Sequence, residues 1–320
     1  MKNKISRYCA LILIVVIFMF TGCIEEKVQF SLKLKKGDMY KIEMNTDEKI
    51  TQTIKGQKTE VNSKMKSVYS CYVMNVDENK NSEIRMTLDM INLKNMSNNG
   101  KTIEYNSETQ IINNENMDKV SKIYAAIIGE SFTMKIGEDG KVKEIMDIDN
   151  IIGNVFKQLN IKDSKEKDEI QAIILEQFSE DAITKKTEDI TSVYPEEPVK
   201  VGEEWVQKDE IKGEFALESE NKYTLKERKD KTAEVNVDAK VKTKKHAEPM
   251  IVGNIKINYD LTGHKKGVIN IDEETGIPKH IEMEHKYGGE MKLASQDPNI
   301  GAQTFPINVE GKSRIVVTKN

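Results

Sequence analysis

Ala233-Glu-Val-Asn-Val-Asp-Ala-Lys-Val241 decides the fold class. Its apolar residues fall on every second position, with Glu234, Asn236, Asp238 and Lys240 between them. Side chains alternate across a strand, so this spacing makes one dry face and one wet face. The pattern recurs in Ile255, Ile257, Tyr259 and Leu261, in Tyr40, Ile42 and Met44, and in Ile84, Met86, Leu88 and Met90. Strands with one solvated face belong to antiparallel sheets. Turn residues punctuate them: Asp139-Gly140 between Phe132–Ile136 and Lys141–Ile145, then Glu274-Thr275-Gly276, then Gly288-Gly289.

The middle of the chain changes period. Met117, Val120, Ile123, Tyr124, Ile127 and Ile128 are spaced for a helix, and Ile151, Ile152, Val155, Phe156 and Leu159 for another, with Asp147 or Asp149 to cap it. Asp163-Ser-Lys-Glu166 reads as a capping box ahead of Ile170, Ile173, Ile174 and Phe178. Tyr194-Pro-Glu-Glu-Pro198 then forces an extended connector. The expectation is an α+β protein dominated by curved antiparallel sheet, half-barrel-like, packed with two or three central helices. Its parts are an export leader (1–22), an anchor and tether (23–30), and a β-rich body (31–320). The body divides into a first β half (31–146), a helical segment (147–190) and a second β half (191–320). An internal echo points to two related halves. Gly37-Asp-Met-Tyr40 matches Gly202-Glu-Glu-Trp205, the pair Tyr72/Glu83 matches Tyr223/Glu234, and Gly140/Ile145 matches Gly276/Ile281, in the same order.

Met1–Arg7 is basic and Tyr8–Phe20 is apolar, about 13 residues, where a membrane span takes about 20. Phe20-Thr-Gly-Cys23 follows and resembles a bacterial lipobox, with Phe20 in place of the usual Leu. That resemblance implies cleavage before Cys23 and acylation of its thiol, and two acyl chains give stable anchoring where one does not. The expected location is the outer side of a bacterial cytoplasmic membrane. Removing Lys2, Lys4 and Arg7 takes the net charge from −4 to −7. A general nucleic-acid binder needs a basic surface, so nucleic acid is excluded as a partner. Cys9 leaves with the leader and Cys23 is acylated, so Cys71 stands alone and no internal disulfide is expected.

Further stretches carry a family resemblance: Leu34-Lys-Lys-Gly-Asp-Met-Tyr40, Ser131-Phe-Thr-Met-Lys-Ile-Gly-Glu-Asp-Gly-Lys-Val142, and Tyr194-Pro-Glu-Glu-Pro-Val-Lys-Val-Gly-Glu-Glu-Trp205. Together with the lipobox they resemble a family of uncharacterised bacterial lipoproteins with Pro-x-Val-x-x-Gly-x-x-Trp and Asp-Gly-Lys-Val stretches. No catalytic or ligand residues come with that resemblance. In layout the chain is also similar to half-barrel envelope lipid carriers, a likeness of fold alone.

Motifs for chemistry are missing. His280 and His285 are five apart and so lie on opposite faces of a strand; with His246 and His264 they read as solvent-exposed sheet residues. Asp77-Glu-Asn-Lys-Asn81 lacks the Gly and Glu of a calcium loop at Ser82 and Leu88 and reads as a turn. Gly137-Glu-Asp-Gly140 lacks the Lys-Ser/Thr ending of a phosphate loop. No metal site, no cofactor and no catalytic residue is expected. Met44, Met74, Met86, Met90, Met134, Met283 and Met291 fall at inward strand positions, and methionine lines adaptable apolar surfaces. They are the expected lining of a concave sheet holding a hydrophobic ligand or an envelope partner, in a cavity of about 300–1,000 Å³ between sheet and helices. An envelope hydrolase with an unrecognised site and a purely structural surface lipoprotein are the alternatives; the sequence leaves the oligomeric state open. Labelling with radioactive fatty acid is predicted for the wild type and lost in Cys23→Ala; label retained in that variant contradicts the acyl assignment.

Overall fold

The structure, a computed structural model, describes residues 26–54, 56–109, 118–211, 215–252, 255–295 and 302–320. The export segment, Cys23 and Met117 lie outside them. The chain runs β1 (Met39–Ile54), β2 (Gln57–Val76), β3 (Ser82–Ser97), β4 (Thr102–Asn106), α1 (Lys119–Ile127), β5 (Ser131–Ile136) and β6 (Val142–Met146). Then come α2 (Ile148–Gln158), α3 (Ser164–Phe178), α4 (Glu180–Thr191), β7 (Glu204–Ile211), β8 (Leu217–Lys229) and β9 (Thr232–Thr243). β10 (Met250–Val252), β11 (Ile255–Asp272), β12 (Pro278–Ser295) and β13 (Gln303–Lys319) complete it. Among the described residues thirteen strands form one open antiparallel sheet, in the order β6-β5-β3-β2-β1-β13-β12-β11-β9-β8-β7, with β4 on β3 and β10 on β11. The first and last strands meet at its centre, from Tyr40 opposite Lys319 to Gln52 opposite Ile307. The curved, half-barrel-like expectation is consistent with this sheet.

The helices begin where polar side chains satisfy free N–H groups. Asp118 accepts from Ser121 N (3.0 Å) and Asp163 from Glu166 N (3.0 Å). Ser179 ends α3 and starts α4: its N–H reaches Leu175 O and its Oγ accepts from Ala182 N. The helical run therefore continues past Phe178 to Thr191, one helix more than its apolar spacing marked. Asp147 occupies the N-cap of α2 in a left-handed conformation without a side-chain cap bond.

Two turns hold the layers together. Leu32 N donates to Glu138 O (2.8 Å) in the β5–β6 turn, and Lys33 N to Thr275 O (2.7 Å) in the β11–β12 turn. In sheet order β3, β2, β1 and β13 lie between β5 and β12. Strands about 4.8 Å apart would hold those turns roughly 24 Å from each other in a flat sheet. Adjacent residues reach both, so the sheet coils around its apolar face. The segment after α4 does the same: Thr191 Oγ1 donates to Gly140 O (2.6 Å) and Tyr194 Oη to Gly276 O (2.7 Å). Both glycines are left-handed, at φ 75° and 73°. A Cβ on Gly140 would lie 2.0 Å from Thr191 O, and one on Gly276 1.9 Å from Ser31 O. Only glycine fits either turn.

The local turns that begin β1 and β7 are built alike. Asp38 accepts from Lys35 N, and Gly37 N and Val73 N bond Val73 O and Asp38 O in turn. Glu203 accepts from Lys200 N, while Gly202 N and Leu225 N bond Leu225 O and Glu203 O. Gly288-Gly289 is not a turn. Both residues lie inside β12, where a Cβ on Gly289 would meet Asp260 O at 1.9 Å; these glycines permit close approach of neighbouring strands.

Tyr194→Phe removes one buried hydrogen bond and orphans a carbonyl, and is predicted to cost about 1–3 kcal/mol in denaturant unfolding. Gly276→Ala adds overpacking to left-handed strain, with an expected loss of about 2–4 kcal/mol. Unchanged midpoints in both would contradict the strap. Burial alone would raise the Asp272 carboxyl, but bonds from Lys279 and from Thr275 N and Oγ1 outweigh it and hold it below its ordinary value. A depressed carboxyl stabilises above its unfolded pKa, about 4, and that contribution fades as pH falls through the folded value. Asp272→Asn should therefore lower Tm at pH 7, with the gap closing below about pH 4; a pH-independent gap contradicts the assignment.

Candidate functional site

The inner face of the sheet carries two large apolar cores and a small third cluster of Ile91 and Tyr105. The larger joins the helices to the strand ends near the straps, through residues such as Val73, Leu88, Ile151, Ile174, Leu225 and Ile271. The second gathers Leu217, Val241, Ile257, Leu261, Met291, Phe305, Ile307 and Val309 towards the opposite ends of the strands. Beneath α3 and α4 the larger core leaves an apolar crevice of about 110 Å³. Met44, Met86, Met134, Tyr69 and Cys71 form its floor, and Phe178, Ile183 and Ile190 its roof, with Lys186 and Thr187 at the rim. Three of the seven methionines expected as lining thus converge there. Burial pushes the Cys71 thiol up to about 12, which suits a small hydrophobe and not a nucleophile. The crevice falls short of the expected 300–1,000 Å³, with Phe132 and Phe178 among its lining.

The other four methionines lie elsewhere. Met283 packs beside the larger core and Met291 belongs to the second. Met74 is the extra residue where the register shifts between Val73 and Asn75. A second shift, between Val68 and Tyr69, opposes them to Met90 and Leu88 and leaves Asp89 over. The inner face of β3 therefore passes from Leu88 to Ile91 and Leu93, and Met90 is not part of it.

Between the cores runs a feature that composition did not reveal. In register across the inner face stand Asn95, Ser63, Glu48, Gly311, His285, Lys265, Ala239, Asn221 and Gln207. His285 is 15 % exposed, stacks on Tyr287 at 5.3 Å and lies 3.4 Å from Glu48 Oε2. The expectation of a solvent-exposed His285 is therefore corrected; its neighbours put it on the inner face. A Cβ on Gly311 would strike the imidazole at 2.5 Å, so glycine makes room for the ring. Lys185 of α4 adds a cation. Burial, with Lys265 adding to it, holds its amine below the usual lysine value against the pull of Asp189 and Glu48. His285 Nε2, Gln207 Oε1 and Asn95 Oδ1 are buried without a hydrogen-bond partner among the described residues. Cross-strand register, rather than sequence spacing, is the signal that finds this belt.

The opposite face carries a trough of about 1140 Å³, lined from β4 and β3 across the sheet to β7 and by no helix residue. Its charges pair directly across the ladder: Asp47 with Lys64 (3.0 Å), Glu104 with Lys94 (2.9 Å), Asp238 with Lys266 (3.5 Å). Exposed pairs of this kind contribute about 0–1 kcal/mol each, so the trough is a charged surface of nearly balanced sign. Among the described residues no cluster of three His, Cys, Asp or Glu is arranged to hold a metal ion. His280 contacts Glu282 (3.0 Å), and Asp77 closes the turn through Asn81 N (2.8 Å). No helix among the described residues is long and apolar enough to cross a membrane.

Comparison with known proteins gives a family and a distant likeness in shape. No curated protein sequence matches the chain. Among solved structures, one titled for lipid–protein interactions in lipovitellin aligns with TM-score 0.46 and 11% identity, covering 89% of this chain and 25% of that one. The chain thus spans about a quarter of that protein's length. OccK7 (OpdD) of Pseudomonas aeruginosa aligns at TM-score 0.26 and 6% identity, covering 89% of this chain and 100% of the other. The COG4313 outer membrane channel of Pseudomonas putida F1 follows at 0.21 and 6%, covering 93% and 98%. The family match spans residues 79–278, including the stretches at 131–142 and 194–205 but not 20–23 or 34–40. By that match the chain belongs to DUF6263, a family of unknown function.

Proposed function

We propose that this chain is a lipid-anchored, extracytoplasmic bacterial lipoprotein whose body, made of two related halves, binds a hydrophobic chain without catalysis. Cys23 carries the anchor, supported by the Phe20-Thr-Gly-Cys23 stretch behind a short apolar run. The observation that carries the binding reading is the convergence of Met44, Met86 and Met134 under a helical roof. At about 30 Å³ for a group the size of water or methylene, 110 Å³ takes about four such groups. The crevice suits the tip of a hydrocarbon chain and not a whole lipid. Its methionines are flexible and can re-pack around a guest. The trough favours a second reading, docking of an envelope partner of mixed charge, since it is by volume the larger concavity.

Titration of the purified chain with a fluorescent polyene fatty acid tests the first reading. Saturable emission is expected, lost in Met134→Trp, which fills the crevice, and in Met44→Trp, and retained in Lys64→Ala of the trough. No saturable signal from the wild type, or full binding by both folded tryptophan variants, would contradict it.

A further inference from the structure

We propose that the strap end of the sheet is seated against the membrane headgroups, with the strands standing away from the bilayer. The inference rests on the anchor reading of Cys23. Three Cα steps separate Cys23 from Glu26, and an extended chain covers at most about 11 Å in that distance. From Glu26 onward the chain is tied down. Glu26 O accepts from Arg228 Nη1 (2.6 Å), Val28 exchanges both backbone bonds with Val199 (2.8 and 3.0 Å), and Phe30 is 2 % exposed. Arg228 is itself held by Glu273 (2.7 Å). The tether therefore spans at most about 11 Å, and acyl chains on Cys23 place the β8–β9 and β11–β12 turns, which hold Glu26 through Arg228 and Glu273, at the membrane surface.

The opposite end is remote. β1 has 16 residues, and at about 3.3 Å per residue its far end stands roughly 50 Å from the strap. Exposed Lys27, Lys33, Lys35, Lys36 and Lys229 at the strap end stand among exposed Glu26, Glu78, Glu196, Glu197 and Asp230. Tether length, and not charge, sets this orientation, so anionic lipid and salt leave it unchanged.

The test uses the acylated full chain in phosphatidylcholine vesicles containing nickel-chelating lipid, with a spin label at Lys229→Cys or Lys101→Cys. Cys71 is buried and Cys23 blocked, so each variant labels once. Strong broadening at 229 and little at 101, in low and high salt alike, is expected. A twelve-residue Gly-Ser insertion between Cys23 and Glu26 should erase the difference. Equal broadening in an acylated chain, or a difference that survives the insertion, overturns the orientation alone. Intact mass without acyl groups overturns the anchor reading, and the orientation with it.

Discussion

The architecture depends on hydrogen bonds, from backbone amides of one strap and side-chain hydroxyls of the other, that two straps make to two distant turns. Residues 31–33 and 191–194 each touch both the β5–β6 turn and the β11–β12 turn. A thirteen-stranded open sheet has no intrinsic reason to close over a particular set of helices, because its twist is soft and its edges are far apart. Tying the two turns fixes how tightly it coils, and so fixes the space in which α3 and α4 sit. Glycine is required at both turns by the same crowding, with a strap carbonyl where a Cβ would be. The crossing is reciprocal: Thr191 at the end of α4 crowds the β5–β6 turn, and Ser31 ahead of β1 crowds the β11–β12 turn.

Register does the rest. Because every ladder is antiparallel, one choice of alignment puts Asp47 opposite Lys64 on one face and Glu48 opposite Gly311 on the other. The outer face becomes an ion-paired trough. The inner face becomes two large apolar cores separated by a polar row. Buried polar groups need partners, and a row left partly unsatisfied at His285, Gln207 and Asn95 costs stability that the adjoining cores offset. The belt also separates the crevice at the strap end from the packed core at the far end.

Much of the fold was legible. Period-two runs such as Ala233–Val241 and Ile255–Leu261 are strands, and the Asp139-Gly140 and Glu274-Thr275-Gly276 signals are turns. Asp163 caps its helix as its sequence context implies. What failed shares a cause: non-local geometry. The bulges at Met74 and Asp89 shift the inward face without any mark in the alternation, which misplaced Met90. Gly288-Gly289 looks like a turn until Asp260 is known to press against it. His285 looks solvated until register brings Glu48 beside it on the inner face. The crevice is lined by residues from the sheet and from two helices, and no spacing rule gives a volume.

Native-state hydrogen exchange at the Leu32 and Lys33 amides tests the central claim most directly. Both lie outside any helix or strand, ahead of β1, where local opening is the ordinary expectation. If the strap closes the sheet, these amides exchange only with global unfolding, as slowly as those in the middle of β12. Exchange at the rate of a loosely attached terminus would contradict the account.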